Sequence, residues 1–239
     1  MSKSKIEWTE ETWNPITGCT KCSEGCRNCY AEKFAQRLKL MGNKRYKNGF
    51  EVTIHEDLFN KPLGWKKSKL VFVNSMSDLF HESIPDEIIL RLFSIMNESS
   101  NHTFQVLTKR SKRLVQLSKR INWTKNIWMG VSIENKNNLF RCDDLKSTDA
   151  YIKFISAEPL LGSLKDINLN GIDWLIVGGE SGPKSRPLDE HWVLELQKLA
   201  FDTKTAFFFK QWGGFNKKKN GNLLNGKVFK EYPFKKNNM

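Results

Sequence analysis

The sequence predicts an α/β fold: a single full or partial (β/α) barrel followed by a polar, basic C-terminal tail. Three observations predict it. Short apolar, β-branched or aromatic runs alternate with segments of helical periodicity. Nearly every run ends in small or polar residues, at what would be one edge of a parallel sheet. The length, 239 residues, suits one barrel and buries a sizeable core without disulfide staples.

The elements follow in order. A first strand is expected near Trp13–Thr17. Leu70–Ser75, Thr103–Thr108, Ile127–Ser132, Tyr151–Ser156, Trp174–Gly178 and Ala206–Lys210 each have the length of a buried strand. Helical stripes lie between most of them. Pro85–Met96 carries Ile88, Ile89, Leu92, Phe93 and Met96, with Pro85 suited to a first turn. Leu114, Leu117 and Ile121 form another stripe, as do Trp192, Leu194, Leu196, Leu199 and Ala200. The alternation argues for a parallel sheet with crossover helices. A doubly wound open sheet is the alternative. The barrel is expected over residues 1–213. Beyond it, 214–239 are basic and Asn-rich and read as an extended tail.

Composition narrows the class. Hydrophobic residues make up 39% and aromatics 12%, which suits a globular chain and not a disordered one. No apolar run approaches the roughly 18 residues of a membrane span. Met1–Glu7 lacks an apolar stretch, so no secretory signal is expected. The chain reads as cytoplasmic, where clustered thiols more often hold metal than form disulfides.

The net charge is +13, unevenly spread. Lys109, Arg110, Lys112, Arg113, Lys119, Arg120 and Lys125 occur with no acid among them. Residues 204–239 carry nine lysines against Glu231. Such segments favour a polyanion such as nucleic acid. A solvated helix face and a solubilising tail is the plainer alternative.

Four of the five cysteines, Cys19, Cys22, Cys26 and Cys29, fall within eleven residues. Thiolates suit zinc, copper(I) or iron–sulfur clusters. Two zinc knuckles are normally separated by a dozen residues or more, and here only three separate the inner pair. A cluster accepts ligands from one tight loop, so the spacing favours iron–sulfur, with zinc left open. Cys142 stands alone on an expected helix and reads as a buried apolar residue. The four histidines form no metal-ligand pair at helical spacing.

Several motifs together resemble a known family. They are Trp13-Asn14-Pro15-Ile16-Thr17-Gly18-Cys19 with Gly25-Cys26 and Cys29-Tyr30-Ala31-Glu32, and Val71–His81. Leu107-Thr108-Lys109-Arg110, Gly130–Asn135, Ser156–Leu160, Gly178–Gly182, Arg186-Pro187 and Phe207–Gly213 complete the set. In combination they resemble the phage Gp37/Gp68-type family of radical-SAM-like, three-cysteine-motif proteins (DUF5131-like). The resemblance covers about residues 6–213 and implies a radical-SAM-like barrel. It implies a [4Fe–4S] cluster on Cys19, Cys26 and Cys29, with S-adenosylmethionine on the open iron. Cys22, Cys26 and Cys29 alone match the C-x3-C-x2-C spacing of the wider superfamily. Cys22 is therefore an alternative third ligand or a fourth; the flanking residues favour Cys19. In that superfamily reduction cleaves the cofactor to a 5′-deoxyadenosyl radical that abstracts hydrogen from substrate.

Further candidates sit at the strand ends. The cofactor set is Tyr30, Asn74, Ser75, Asp78, Ser132, Glu134, Glu158, Gly178, Gly179 and Glu180. Tyr30 also fits a packing stripe with Phe34 and Leu38. Gly178-Gly179-Glu180 resembles the superfamily element for the cofactor's amino group, though on a late strand. Each acid fits a helix cap or ion pair equally well. The nucleic-acid set is Lys109, Arg110, Lys112, Arg113, Arg186, Lys210, Gln211 and Trp212, cations with an amide and a stacking ring. The expected function is a radical-SAM-type enzyme acting on a nucleic acid or nucleotide. The alternatives are a non-catalytic iron–sulfur or zinc module binding nucleic acid or a protein partner, and an enzyme on a peptide or metabolite. No membrane partner is expected.

Overall fold

The computed structural model describes residues 6–233; the ends of the expected barrel and tail segments, 1–5 and 234–239, lie outside the described residues. The chain divides into two compact units, Met1–Met129 with Thr148–Tyr151, and Gly130–Ser147 with Ile152–Met239.

The first unit holds β1 (Glu11–Trp13), β2 (Ile16–Thr17), α1 (Tyr30–Leu40), β3 (Thr53–Ile54), β4 (Leu70–Val73), α2 (Asp86–Glu98), β5 (Thr103–Thr108) and α3 (Ser111–Ser118). The strands β1, β4 and β5 pair in parallel, with Trp13 opposite Val73 and Val73 opposite Val106. The expected first strand is split in two at Asn14-Pro15. Pro15 has no N–H for a ladder, and Asn14 Oδ1 accepts from Ser75 Oγ and the Met76 amide. Beyond the break, β2 turns to pair antiparallel with β3.

The buried Trp13 ring meets Phe104 and its Nε1 donates to Leu58 O at 2.8 Å. Burying a side chain of this kind contributes about 1.5–3 kcal/mol, and the hydrogen bond prevents the indole N–H from subtracting from it. In α2 the expected stripe buries Ile89, Leu92, Phe93 and Met96, with Pro85 at the N-cap. By contrast α1 buries only Ala35, against Tyr46 and Met76.

The strand β6 (Ile127–Ser132) carries the chain from the first unit into the second. All six residues are buried, as in a strand covered on both faces.

The second unit continues with α4 (Phe140–Lys146), β7 (Ile152–Ala157), β8 (Trp174–Gly178), α5 (Glu190–Asp202), β9 (Ala206–Gln211), α6 (Lys217–Asn220), β10 (Leu223–Leu224) and β11 (Lys227–Val228). The strands β7, β8 and β9 pair in parallel, and a shift at Val177/Gly178 sets Gly178 opposite Gln211. Trp174 packs between Phe154 and Phe208. Gly130 makes room for this core: a Cβ there would lie 2.4 Å from the Phe154 ring. Asp189 caps α5 by accepting from the His191 amide, and Val193, Leu196 and Ala200 are its buried face. Cys142 is buried on α4, as expected.

Residues after 213 fold back along β9. Phe209 N donates to Phe229 O, Glu231 N donates to Phe207 O, and Tyr232 stacks on Trp174 at 5.1 Å. Among the described residues no helix is long and apolar enough to cross a membrane.

Candidate functional site

The cysteine loop lies wholly in the first unit. It opens at Gly18, whose φ is +85°; a Cβ there would lie 2.1 Å from Glu51 O. Only glycine takes this backbone without strain. The Gly18 amide donates to Met76 O at 2.9 Å and the Cys19 amide to Phe50 O at 3.1 Å. A 3-10 turn, Glu24–Cys26, follows, and Cys29 is the N-cap of α1. Short hydrogen bonds thus shape the loop between two fixed ends: Cys26 N to Ser23 O at 3.0 Å and Cys29 N to Cys26 O at 3.3 Å.

The four thiols interact. Cys22 and Cys26 interact through a side-chain hydrogen bond. That bond holds Cys26 well below the usual thiol range, helped by the Lys109 charge, and raises Cys22. Burial pushes the Cys19 thiol up to about 11, against the pull of Arg110. Burial also raises Cys29, against the Glu32 and Ala31 backbone amides at the start of α1. Among the described residues, no three His, Cys, Asp or Glu side chains are already gathered as a metal-holding group. The donor set nevertheless fits an iron–sulfur cluster: soft sulfurs on one loop, with the Arg110 guanidinium against the first of them.

Arg110 is the hub behind the loop. Nη1 donates to Cys19 Sγ at 3.4 Å and Asp78 Oδ2 at 3.1 Å. Nη2 donates to Thr20 O and Oγ1, and Nε to the Glu82 carboxylate. All five guanidinium N–H groups are engaged. Asp78 in turn accepts from Thr108 Oγ1, the Lys109 and Phe80 amides and Arg110. His81 joins the same wall. The Ser83 amide donates to its Nδ1, which leaves Nε2–H for Thr20 Oγ1 at 2.8 Å. Burial, with Arg110 nearby, lowers the His81 pKa and keeps the ring neutral.

Two expectations change here. Arg110, expected to meet a phosphate, is buried and engaged with protein on every donor. Arg113 donates to His81 O, Ile84 O and Asp86, so it braces the segment between β4 and α2. Of the cofactor candidates in this unit, Asp78 has its four acceptor sites filled. Asn74 is buried in the left-handed region, φ 57°, with Oδ1 accepting from the Ile16 amide and Nδ2 unpartnered. Ser75 donates to Asn14. Tyr30 is largely exposed and stacks on Phe34 at 5.7 Å, beside Cys29. Lys112 is exposed on α3.

The second unit holds the remaining candidates. After β6, Arg141 Nη1 donates to Ser132 O at 2.7 Å and Glu134 Oε2 at 2.9 Å, and Asn138 donates to the same oxygen. Glu158, after β7, accepts from Ser156 Oγ and pairs with Lys210 at 2.9 Å. Gly178 lies beneath that pair; a Cβ there would be 2.9 Å from Glu158 Oε1. Gly179 lies against the backbone of Trp212, 2.0 Å from the place a Cβ would take. Glu180 accepts from Arg186. Gln211 donates to Ser181 Oγ, and Trp212 Nε1 to Leu223 O. Arg186, Lys210, Gln211 and Trp212, expected to meet nucleic acid, all make such internal contacts.

Sequence reasoning missed Thr20, His81 and Glu82 as supports of the loop. Thr20 lies inside the cysteine run and His81 closes the Val71–His81 motif, so their places in the motifs were the available signal.

The family model described as "Protein of unknown function (DUF5131)" matches residues 3–233. No curated protein matches in sequence. Solved structures of spore photoproduct lyase are similar in fold. One, complexed with dinucleoside spore photoproduct, has a TM-score of 0.51 at 13% identity, covering 85% of this chain and 64% of that chain. A mutant of the same lyase gives 0.51 at 14%, with the same coverage. A double mutant with bound AdoMet and dinucleoside spore photoproduct gives 0.50 at 12%. The likeness shows the fold, the α/β partial (β/α) barrel class expected from the sequence. The chain spans just under two thirds of the length of those lyase chains.

Proposed function

Because the chain belongs to the DUF5131 family, we propose that it is a cytoplasmic iron–sulfur protein of the radical S-adenosylmethionine type, acting on a nucleic acid or nucleotide. The phage Gp37/Gp68 affiliation is part of this proposal. One observation carries it: four cysteines on one short loop anchored at Gly18 and at the start of α1, with the Arg110 guanidinium donating to Cys19 Sγ. When bound, a cluster with one open iron supplies the reductive cleavage of S-adenosylmethionine that starts hydrogen abstraction. The chain's own residues hold the loop. Gly18 admits the turn, Arg110 and Thr20 brace its first half, and α1 anchors Cys29.

The nucleotide part is supported by the dinucleoside bound in the lyase of like fold and by the net charge of +13. Because Arg110, Arg113, Arg186 and Lys210 are engaged internally, the polyanion contact falls to exposed lysines such as Lys119.

A second reading rests on Cys22. A cluster held by four thiolates has no open iron, and the chain is then a non-catalytic module binding nucleic acid or a protein. Anaerobic reconstitution tests both. About four irons per chain, and 5′-deoxyadenosine released on adding S-adenosylmethionine and reductant, is the expected result. Iron without 5′-deoxyadenosine supports the second reading. One zinc and no iron overturns the iron–sulfur assignment.

A further inference from the structure

We propose that Arg110 is a positioning residue for the metal centre: it selects Cys19 over Cys22 as the third thiolate and fixes a positive charge against it. The inference rests on the cluster reading above. It goes further in naming the side chain that holds the Cys19 sulfur in place.

The geometry separates the two cysteines. Cys19 Sγ receives a guanidinium N–H at 3.4 Å, while its backbone is tied to Phe50 O. Cys22 is exposed. The Arg110 donors go to Cys19, Asp78, Glu82 and Thr20, and none to Cys22. A thiolate at Cys19 is therefore met by a donor already in place, and a thiolate at Cys22 is not.

Arg110 itself has little freedom. Its backbone amide donates to Thr108 Oγ1 at 2.9 Å, at the end of β5. Its planar fork is held on one side by Asp78 and Glu82 and on the other by Thr20. The side chain is 5% exposed. Lysine has no such fork and cannot reproduce the set. Because Thr20 directly follows Cys19, the same guanidinium fixes both the sulfur and the backbone beyond it. Outer partners of this kind orient ligands and tune the centre. A hydrogen bond and a cation at a ligand sulfur favour the reduced, more negative cluster, so they raise its potential.

The test uses the full chain, reconstituted anaerobically, with iron and sulfide counted and the midpoint followed by spectroscopic redox titration. Cys22→Ser is expected to keep the wild-type iron content, and Cys19→Ser to lose it. The reverse order, or equal retention, overturns the selection. Arg110→Gln is expected to shift the midpoint to more negative potential, with Arg110→Lys shifting it less. Both should release iron to a chelator about 10- to 100-fold more readily. Arg110→Gln leaves Asp78 without its charge partner, so folding is checked by circular dichroism. If that variant does not fold, Arg110→Lys decides: an unchanged midpoint and unchanged iron retention overturn the role. A wild-type chain without iron fails the cluster reading and this assignment with it. Iron with the wrong cysteine dependence fails this assignment alone.

Discussion

Glu180 holds Arg186 with both carboxylate oxygens. Oε1 accepts from Nη2 at 2.6 Å, and Oε2 accepts from Nε and from the Arg186 backbone amide, each at 3.0 Å. Around them the turn is pinned: Gly179 N donates to Gln211 O and Gly214 N to Glu180 O. The carboxylate thus has a cation of its own, and that cation is turned inward. The pair reads as the clasp of the β8–α5 loop.

Arg186→Ala is expected to lower unfolding stability by about 3 kcal/mol, the low end for a broken buried pair, because Arg186 is partly exposed. Urea unfolding measures it. The salt dependence of single-stranded nucleic-acid binding should not change. A slope reduced by about 0.7 would mean that Arg186 does meet a phosphate.

Lys112 and Arg113 are neighbours on α3 with opposite expected behaviour. Arg113→Glu leaves His81 O and Ile84 O without their donor and sets an acid against Asp86, so it is expected to destabilise the chain. Lys112→Glu, at an exposed position, should cost less stability than Arg113→Glu. It should weaken nucleic-acid binding and flatten its salt dependence. Thermal melts beside binding titrations separate the two. Equal destabilisation by both would contradict the assignment of Arg113 as a brace.

The strands were legible because their signal is local. Short runs of mostly apolar and β-branched residues ending in small or polar groups mark a parallel strand, and Thr103–Thr108, Ile127–Ser132 and Trp174–Gly178 are strands with those bounds. Chemistry at the strand ends was legible as residue type and not as partnership. Arg110 reads as a free cation in the run 109–125. Only the fold brings it to Asp78, which lies 32 positions away, and to Cys19, which lies 91 away. The same holds for Lys210 and Glu158, which meet over Gly178. The split of the first strand was foreshadowed by Pro15, whose missing donor forbids a continuous ladder. The return of residues 221–232 along β9 depends on Phe229, Glu231 and Tyr232, three residues whose signal is lost among lysines and asparagines.

Gly18 sets the start of the cysteine loop, so Gly18→Ala tests the loop without touching a thiol. Alanine at φ +85° carries a backbone penalty of about 1–2 kcal/mol. Its Cβ would also overlap Glu51 O, forcing the Phe50-Glu51 segment away from Cys19. The expected outcome is a lower urea midpoint together with reduced iron after reconstitution. Full iron content with unchanged stability would mean that the loop is not anchored there.

Glu134 gives the sharpest separation of an internal role from a cofactor contact. Its carboxylate is fully buried, and one oxygen serves both Asn138 and Arg141, whose own side chain is 3% exposed. Glu134→Ala leaves the Arg141 charge buried and uncompensated, at a cost of about 3–5 kcal/mol. Glu134→Gln keeps an acceptor for Asn138 and removes only the charge, so it should cost less. The double variant Glu134→Gln/Arg141→Met removes both charges and should recover part of the loss, because a buried pair is worth little against apolar packing of similar volume. A double-mutant cycle in urea reads the coupling directly. If Glu134 instead contacts S-adenosylmethionine, Glu134→Gln will weaken binding of that cofactor to the reconstituted protein while leaving the unfolding midpoint in place.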